Sequence, residues 1–354
     1  MRLTFFDRKS GIISLMRSSE CYIYGAGDCA LSVGNFLKEL GVRIQAYVVD
    51  DEYYKIGMLF EGIEVISLSE YLCKLNQNAS SFFVWAIARP SKLRTAILNT
   101  EIPEAWITYD AVHMWQDNEF AHKHKTEFDD TKILLADKLS RETLDAYLDI
   151  FDGKPEKDVE CIVDDIYFND LTKQVKGRDG CFVDCGAYIG NIAIQFASVY
   201  GKEKIYCFEP DVENYKKLKE NVKDLNAIVI NAGCWNKKTT LRLSGQGESS
   251  RIGNEGDIEV NVVSVDDVVK DDKVAFVKLD VEGSELQALK GMQKIIKRDM
   301  PILAISAYHR QEDLITLPQF VSGFETEDKH YQLFLRHHGF TTSELVLYAI
   351  PTQK

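Results

Sequence analysis

Cys181-Phe182-Val183-Asp184-Cys185-Gly186-Ala187-Tyr188-Ile189-Gly190 reads as a short buried strand that runs into a glycine turn. A helix-period pattern follows to about Tyr200. Glycine at both ends of the turn leaves the backbone bare where strand passes into helix, so a ligand can approach while helix N–H groups point at it. The next strand, Ile205 to Phe208, ends at Glu209-Pro210. A carboxylate in that place can accept hydrogen bonds from both hydroxyls of a ribose. The full G-x-G-x-x-G fingerprint is absent from this turn, so the pairing of turn and acid carries the reading.

Downstream, Asp211 is a good N-cap for a helix to about Leu225. A strand at Ile228 to Ala232 follows, then a hairpin near Thr239 to Leu243 and Glu259 to Ser264, and a buried strand from Val274 to Leu279. Asp280-Val281-Glu282-Gly283 stands at the exit of that strand, ahead of a helix to about Arg298. Strand signals recur at Ile302 to Ala307, Tyr331 to Leu335 and Glu344 to Ile350.

Upstream the same grammar appears once more. Cys21 to Tyr24 is a strand, Gly25-Ala26-Gly27 a turn, and a helix runs to about Leu40. Ile44 to Val49 then ends at Asp50-Asp51. A strand near Glu64 to Ile66, a helix opened by Ser67 or Ser69, and a strand from Phe82 to Ala88 extend this unit, with a new helix starting at Pro90. Residues 110 to 170 read as helical, with a helix start at Ser140-Arg141-Glu142-Thr143 and a break at Asp152-Gly153-Lys154-Pro155. We expect a Rossmann-like domain over 1–110, a helical connector or lid over 111–170, and a second α/β domain over 171–354.

The chain has 354 residues, 45% hydrophobic and 27% charged, which is ordinary globular chemistry. With 42 Lys and Arg against 55 Asp and Glu, the net charge is −13. That balance argues against coating nucleic acid or an anionic membrane, both of which need surplus cations. No apolar stretch approaches the roughly 18–20 residues of a spanning helix, and the opening MRLTFFDRKSGIISLMRSSE lacks an unbroken apolar core, so a cytoplasmic location is expected. Eight cysteines without a C-x-x-C pair suggest neither zinc nor a disulfide framework. Asn78-Ala79-Ser80 is read as a chance sequon.

Val183 to Gly190, Tyr206-Cys207-Phe208-Glu209-Pro210-Asp211 and Phe276-Val277-Lys278-Leu279-Asp280-Val281-Glu282-Gly283-Ser284-Glu285 together resemble the FkbM-type S-adenosylmethionine-dependent methyltransferases. Ala307-Tyr308-His309, Leu335-Arg336-His337-His338 and Val346 to Ile350 are similar to the same family's C-terminal half, so the resemblance covers about residues 134 to 350. It implies a class I methyltransferase fold, a seven-strand doubly wound α/β sheet, here preceded by the smaller Rossmann-like α/β domain. It also implies S-adenosyl-L-methionine as cofactor, with Gly186, Ala187, Tyr188 and Gly190 around its methionine part, Glu209 on the ribose and Asn231 near the adenine; Asp184, Asp280 and Asn191, the last a small departure from the family pattern, are further candidates for holding it.

A sugar hydroxyl is a poor nucleophile at neutral pH and has to shed its proton. Strand ends of a parallel sheet face the ligand crevice, which makes His309, Asp280 and Glu282 the candidate catalytic residues. Tyr167, Phe168, Glu285, Arg336 and His337 are candidates for holding the acceptor, the cationic pair for any anionic group on it. Asp280 and Glu282 also have chemistry suited to magnesium or calcium, though no resident metal is expected. Gly25, Gly27, Asp50 and Asp51 stand where a nucleotide would be held, and residues 21 to 90 resemble the N-terminal domain of PglD-type sugar acyltransferases, which implies a nucleotide-sugar ligand.

The reading is an O-methyltransferase acting on a sugar or glycan precursor in polysaccharide biosynthesis. It expects a small-molecule or glycan acceptor, no nucleic acid and no membrane span, and is compatible with a homo-oligomer. Two alternatives stay open: an NAD- or nucleotide-sugar-dependent enzyme using the N-terminal turn, and a non-catalytic nucleotide-binding sensor.

Overall fold

The computed structural model describes residues 12–75, 81–86, 104–106, 119–151, 166–173, 177–201, 203–244, 251–253, 258–338 and 344–353. Contacts divide the chain into two compact units. Residues expected as a connector are shared between them: Glu119–Lys125 and Glu142–Phe151 belong to the first unit, while Thr126–Arg141 and residues 166–173 belong to the second. The expected break at Asp152 to Pro155, the helix start at Pro90 and the sequon at Asn78 lie outside the described residues.

In the first unit, α1 (Ile12–Ser18), β1 (Glu20–Tyr24), α2 (Asp28–Glu39), β2 (Ile44–Val49), β3 (Leu59–Phe60), β4 (Ile63–Ser67), α3 (Leu68–Leu75), β5 (Ser81–Trp85) and β6 (Glu104–Trp106) follow in order. The strands form one sheet in the order β3-β4-β2-β1-β5-β6, parallel except for the short β3–β4 hairpin. Every residue of β5 is buried, as its unbroken apolar run requires. Three helices follow, α4 (Glu119–Lys123), α5 (Lys125–Leu134) and α6 (Lys138–Phe151). The start of α6 is Asp137 rather than Ser140, because the Asp137 carboxylate accepts from Ser140 N at 2.9 Å.

The second unit contains β7 (Cys181–Cys185), α7 (Asn191–Tyr200), β8 (Ile205–Phe208), α8 (Val212–Asn221), β9 (Ala227–Ile230), β10 (Gly233–Cys234), β11 (Thr239–Ser244), β12 (Arg251–Gly253), β13 (Ile258–Val263), α9 (Val265–Val269), β14 (Val274–Leu279), α10 (Glu285–Lys290), α11 (Gln293–Asp299), β15 (Ile302–Ser306), α12 (Asp313–Ser322), β16 (Lys329–His337) and β17 (Leu345–Gln353). Seven strands form a sheet in the order β16-β17-β15-β14-β7-β8-β9. Six of them run in one direction, and β17, between β15 and β16, runs antiparallel to both. The expected hairpin belongs to a separate four-stranded sheet, β10-β13-β11-β12.

One side of the large sheet is packed with aromatic rings. Phe182 stacks on Phe196 with centroids 4.4 Å apart and on Phe276 at 5.4 Å, and Phe168 meets all three edge-on or tilted. The expected long helix after Gly283 is broken in two at Gly291, where an added Cβ would lie 1.9 Å from Trp235 O. Glycine there lets two backbones touch. Among the described residues no helix is long and apolar enough to cross a membrane.

Candidate functional site

Register pairs Lys278 of β14 with Asp184 of β7, so both side chains leave the sheet on one face. Lys278 Nζ lies 3.3 Å from Asp184 Oδ1 and donates to Gly186 O at 2.6 Å. The two side chains are 4% and 0% exposed. Burial works to lower the lysine pKa, but Asp184 and Asp280 outweigh it and raise it. A charged pair is thus sealed beneath the glycine turn, holding it from below. Asp184, expected against the cofactor, is a support for the turn and has no open face.

The turn is shaped by its own packing. At Gly186 φ is +79°, and a Cβ would sit 1.9 Å from Asp280 O; at Gly190 φ is +93°, and a Cβ would press on Val222 and Leu218. The N–H groups of Gly186 and Ala187 both donate to Phe208 O, and that of Gly190 to Ala187 O. These three amides are therefore taken up inside the turn. Tyr188 adopts φ +48°, a conformation side chains resist, and its N–H donates to Glu209 Oε2 at 2.9 Å.

Glu209 Oε1 accepts from Asp211 N at 2.9 Å. Each carboxylate oxygen keeps a lone pair for one further donor. Burial, only partly offset by these two amides, pushes the Glu209 carboxyl up to about 7. Asn231 donates to Glu209 O and Pro210 O at 2.9 and 3.1 Å, which fixes the strand end that carries the acid. Asn191 opens α7 and is exposed. Gly186, Ala187, Tyr188, Gly190, Asn191, Glu209, Asn231 and Asp280 thus gather at the carboxyl ends of the adjacent strands β9, β8, β7 and β14. That is the end where an open parallel sheet takes its ligand.

A second group lies at the ends of β14 and β15. His309 Nε2 is 3.6 Å from Asp280 Oδ1 and 3.4 Å from Glu282 Oε2, while its Nδ1 is 2.9 Å from Glu285 Oε1. Glu285 also accepts from Val281 N at 3.0 Å and is fully buried, so it holds the imidazole and the loop instead of meeting an acceptor. Glu282 reaches His309 from a left-handed backbone, φ +54°. Strain of this kind costs on the order of 1 kcal/mol and is concentrated at functional sites. Burial works to lower the His309 pKa, but Glu285 and Glu282 raise it well above the ordinary value.

Tyr167 donates to Asp280 Oδ2 at 3.2 Å, and Lys278 Nζ lies 3.9 Å from the same oxygen. Burial raises the Asp280 pKa, but Lys278 and His309 outweigh it, so the carboxyl ionises below its ordinary value. Burial raises Glu282 instead. Asp313, which sequence reading passed over, is 3% exposed and is pushed up to about 8 by burial and by the nearby Glu285 charge.

Three acceptor candidates are corrected. Phe168 is a member of the aromatic core. Arg336 is 7% exposed, and its guanidinium is bound by Asp137 at 2.5 and 3.2 Å and by Ser140 Oγ at 2.8 Å, so it clamps the start of α6 onto β16. His337 is buried in β16 beside it. Lys278 was the missed residue. A lysine in the otherwise apolar run Val274-Ala275-Phe276-Val277-Lys278-Leu279 was the available signal, since a buried ammonium requires an acid partner.

In the first unit, Gly25 has φ +121° and Gly27 caps α2. Asp50 accepts from Tyr24 OH at 2.6 Å. Asp51 accepts from Ser69 N at 3.0 Å and Ser69 Oγ at 2.5 Å, and these bonds lower its pKa. The acid expected on a ribose instead fastens the start of α3.

The strand order and the ligand end of the seven-strand sheet define a class I methyltransferase fold. Residues 184–342 match the model of the methyltransferase FkbM domain. Over 129 residues it is 27% identical to the hexuronic acid methyltransferase AglP of Haloferax volcanii, a match spanning 34% of this chain and 53%, about half, of that protein. The crystal structure of methyltransferase FkbM from Methylobacillus flagellatus KT superposes with a TM-score of 0.68 at 23% identity, over 96% of this chain and 93% of that one.

Proposed function

We propose that this chain is an O-methyltransferase that uses S-adenosyl-L-methionine to methylate a hydroxyl of a sugar or glycan precursor. The observation that carries the cofactor is Glu209: a buried carboxylate at the end of β8, each oxygen held by one backbone N–H and able to accept once more. That is the donor count of a ribose diol. When bound, S-adenosyl-L-methionine supplies a methyl group on a cationic sulfur, which is transferred in line to an oxygen with release of a neutral thioether. The sugar class is supported by the likeness to the hexuronic acid methyltransferase of Haloferax volcanii.

The rest of the reaction falls to the chain's own residues. Asp280, Glu282 and His309 stand beside one another at the strand ends, where an acceptor hydroxyl can lose its proton. Glu282 is the suited base, because burial raises its pKa while Lys278 and Tyr167 hold Asp280 ionised. His309, oriented by Glu285 at Nδ1, can direct its Nε2 side at the acceptor oxygen. Much of the rate then comes from fixing the acceptor oxygen in position.

Calorimetry with S-adenosylmethionine, S-adenosylhomocysteine and NAD on the wild type and Glu209→Ala tests the reading. Both sulfur ligands should bind, NAD should not, and the variant should lose about tenfold or more in affinity. Binding indifferent to Glu209 would overturn it. Release of S-adenosylhomocysteine with uronic-acid or neutral sugar acceptors, lost in His309→Ala, tests the acceptor class; a chain that binds and releases nothing would be a sensor.

A further inference from the structure

The sequence expects no resident metal, and the geometry points the other way: we infer that Asp280 Oδ1, Glu282 Oε2 and His309 Nε2 form a binding site for one divalent transition-metal cation. Asp280, Glu285 and His309 each bring a donor atom within 4.8 Å of the others, Glu285 from the Nδ1 side of the ring, so that the Nε2 side is shared by Asp280 and Glu282. Nε2 stands 3.4 Å from Glu282 Oε2 and 3.6 Å from Asp280 Oδ1. These separations are long for a hydrogen bond. Two ligands each about 2.1 Å from a shared ion at a tetrahedral angle lie about 3.4 Å apart, which is the spacing found.

The side chains are oriented for an ion as well as spaced for one. The His309 side chain is 2% exposed, yet Nε2 makes no hydrogen bond of ordinary geometry, and neither does the buried Asp280 Oδ1. Asp280 turns its other oxygen to Tyr167 and Lys278, so Oδ1 is the one left facing the imidazole. On the far side of the ring, Glu285 contacts Nδ1 at 2.9 Å. A carboxylate on the second nitrogen is how proteins fix a metal-binding histidine in tautomer and direction. The left-handed φ of Glu282, +54°, is what brings the third ligand round to Nε2.

One imidazole with two carboxylates suits Mn²⁺ or Zn²⁺, the carboxylates favouring the first and the imidazole the second. With the ion bound, Glu282 would act as its ligand instead of as a free base, and the ion would leave open positions for an acceptor oxygen and lower the pKa of a hydroxyl bound there. That catalytic consequence rests on the methyl-transfer reading; the ion site does not.

The test uses the full chain after chelator treatment. Mn²⁺ is titrated and the free ion followed by electron paramagnetic resonance, on the wild type, Glu282→Gln and Asp280→Asn, with folding checked by circular dichroism. We expect one saturable ion per chain, weakened about tenfold or more in each variant. Nitrogen-14 coupling to bound Mn²⁺ should be present in the wild type and absent in His309→Gln. The inference is overturned if Mn²⁺ and Zn²⁺ fail to saturate a site, if folded variants bind like the wild type, or if no nitrogen coupling is seen. S-adenosylhomocysteine binding, measured on the same preparations, separates the two ideas. Ion binding without it removes methyl transfer alone, and the reverse result removes the ion site alone.

Discussion

Glu209 and Gly186 show how differently two residues of one motif act. Glu209 is raised to about 7 by burial, so near neutral pH the unbound protein holds it partly protonated. Since its folded pKa lies above the unfolded value, ionising it costs stability as pH rises from about 4.5 through 7. Hydrogen bonds to ribose favour the ionised form. Affinity for S-adenosylmethionine should therefore increase from pH 6 to pH 8, and Glu209→Gln should flatten that profile while weakening binding by about 1.5–3 kcal/mol at pH 8, as calorimetry across pH would show. Gly186 offers the ligand no free amide, yet no other residue fits, because its φ is positive and Asp280 O would lie 1.9 Å from a Cβ. Gly186→Ala should cost more than the ~1 kcal/mol of an unstrained exchange, read as a lowered urea midpoint.

At the scale of elements, the clamp of Arg336 on Asp137 and Ser140 joins α6 to the edge strand β16, whose Leu333 also accepts from Ala136 N at 2.8 Å. Covering an edge strand in this way removes a template for unwanted pairing. Arg336→Met should destabilise the chain by about 1–2 kcal/mol in urea unfolding, a modest figure because Asp137 is 36% exposed. Burial opposes ionisation of Asp137, but Arg336 and Ser140 hold its carboxyl down to about 2. The stability this supplies is complete above the unfolded value near 4 and is lost as pH falls toward 2. Acid titrations of the wild type and Arg336→Met should differ in that window and run parallel above it. Seen from the sequence, Arg336-His337-His338 was a cationic cluster by a strand end. Asp137, its partner, lies 199 residues away, and that distance hid the pairing.

Across the whole molecule, the strands were legible because their periods are strong: β8 and β14 fall where the apolar runs place them, and the turn before α7 is where its glycines require it. What stayed hidden depends on long-range contact. The helix break at Gly291 needs Trp235 against it, and the capture of Asp51 needs Ser69. Each unit has its own aromatic core, so saturating S-adenosylhomocysteine should raise the melting temperature of the C-terminal unit alone in calorimetry, by about 2.7 kcal/mol of added stability at 100 times Kd. One feature of the large sheet bears on how the protein is made. The last strand of this sheet in sequence order, β17, lies between β15 and β16 and hydrogen-bonds to both. A ribosome has to deliver residues through 353 before that gap can close, whatever follows them. Until then two open strand edges wait in the cell for a partner, so this sheet closes only once β17 is made, and a chain interrupted just before β17 is a candidate for chaperone capture or aggregation.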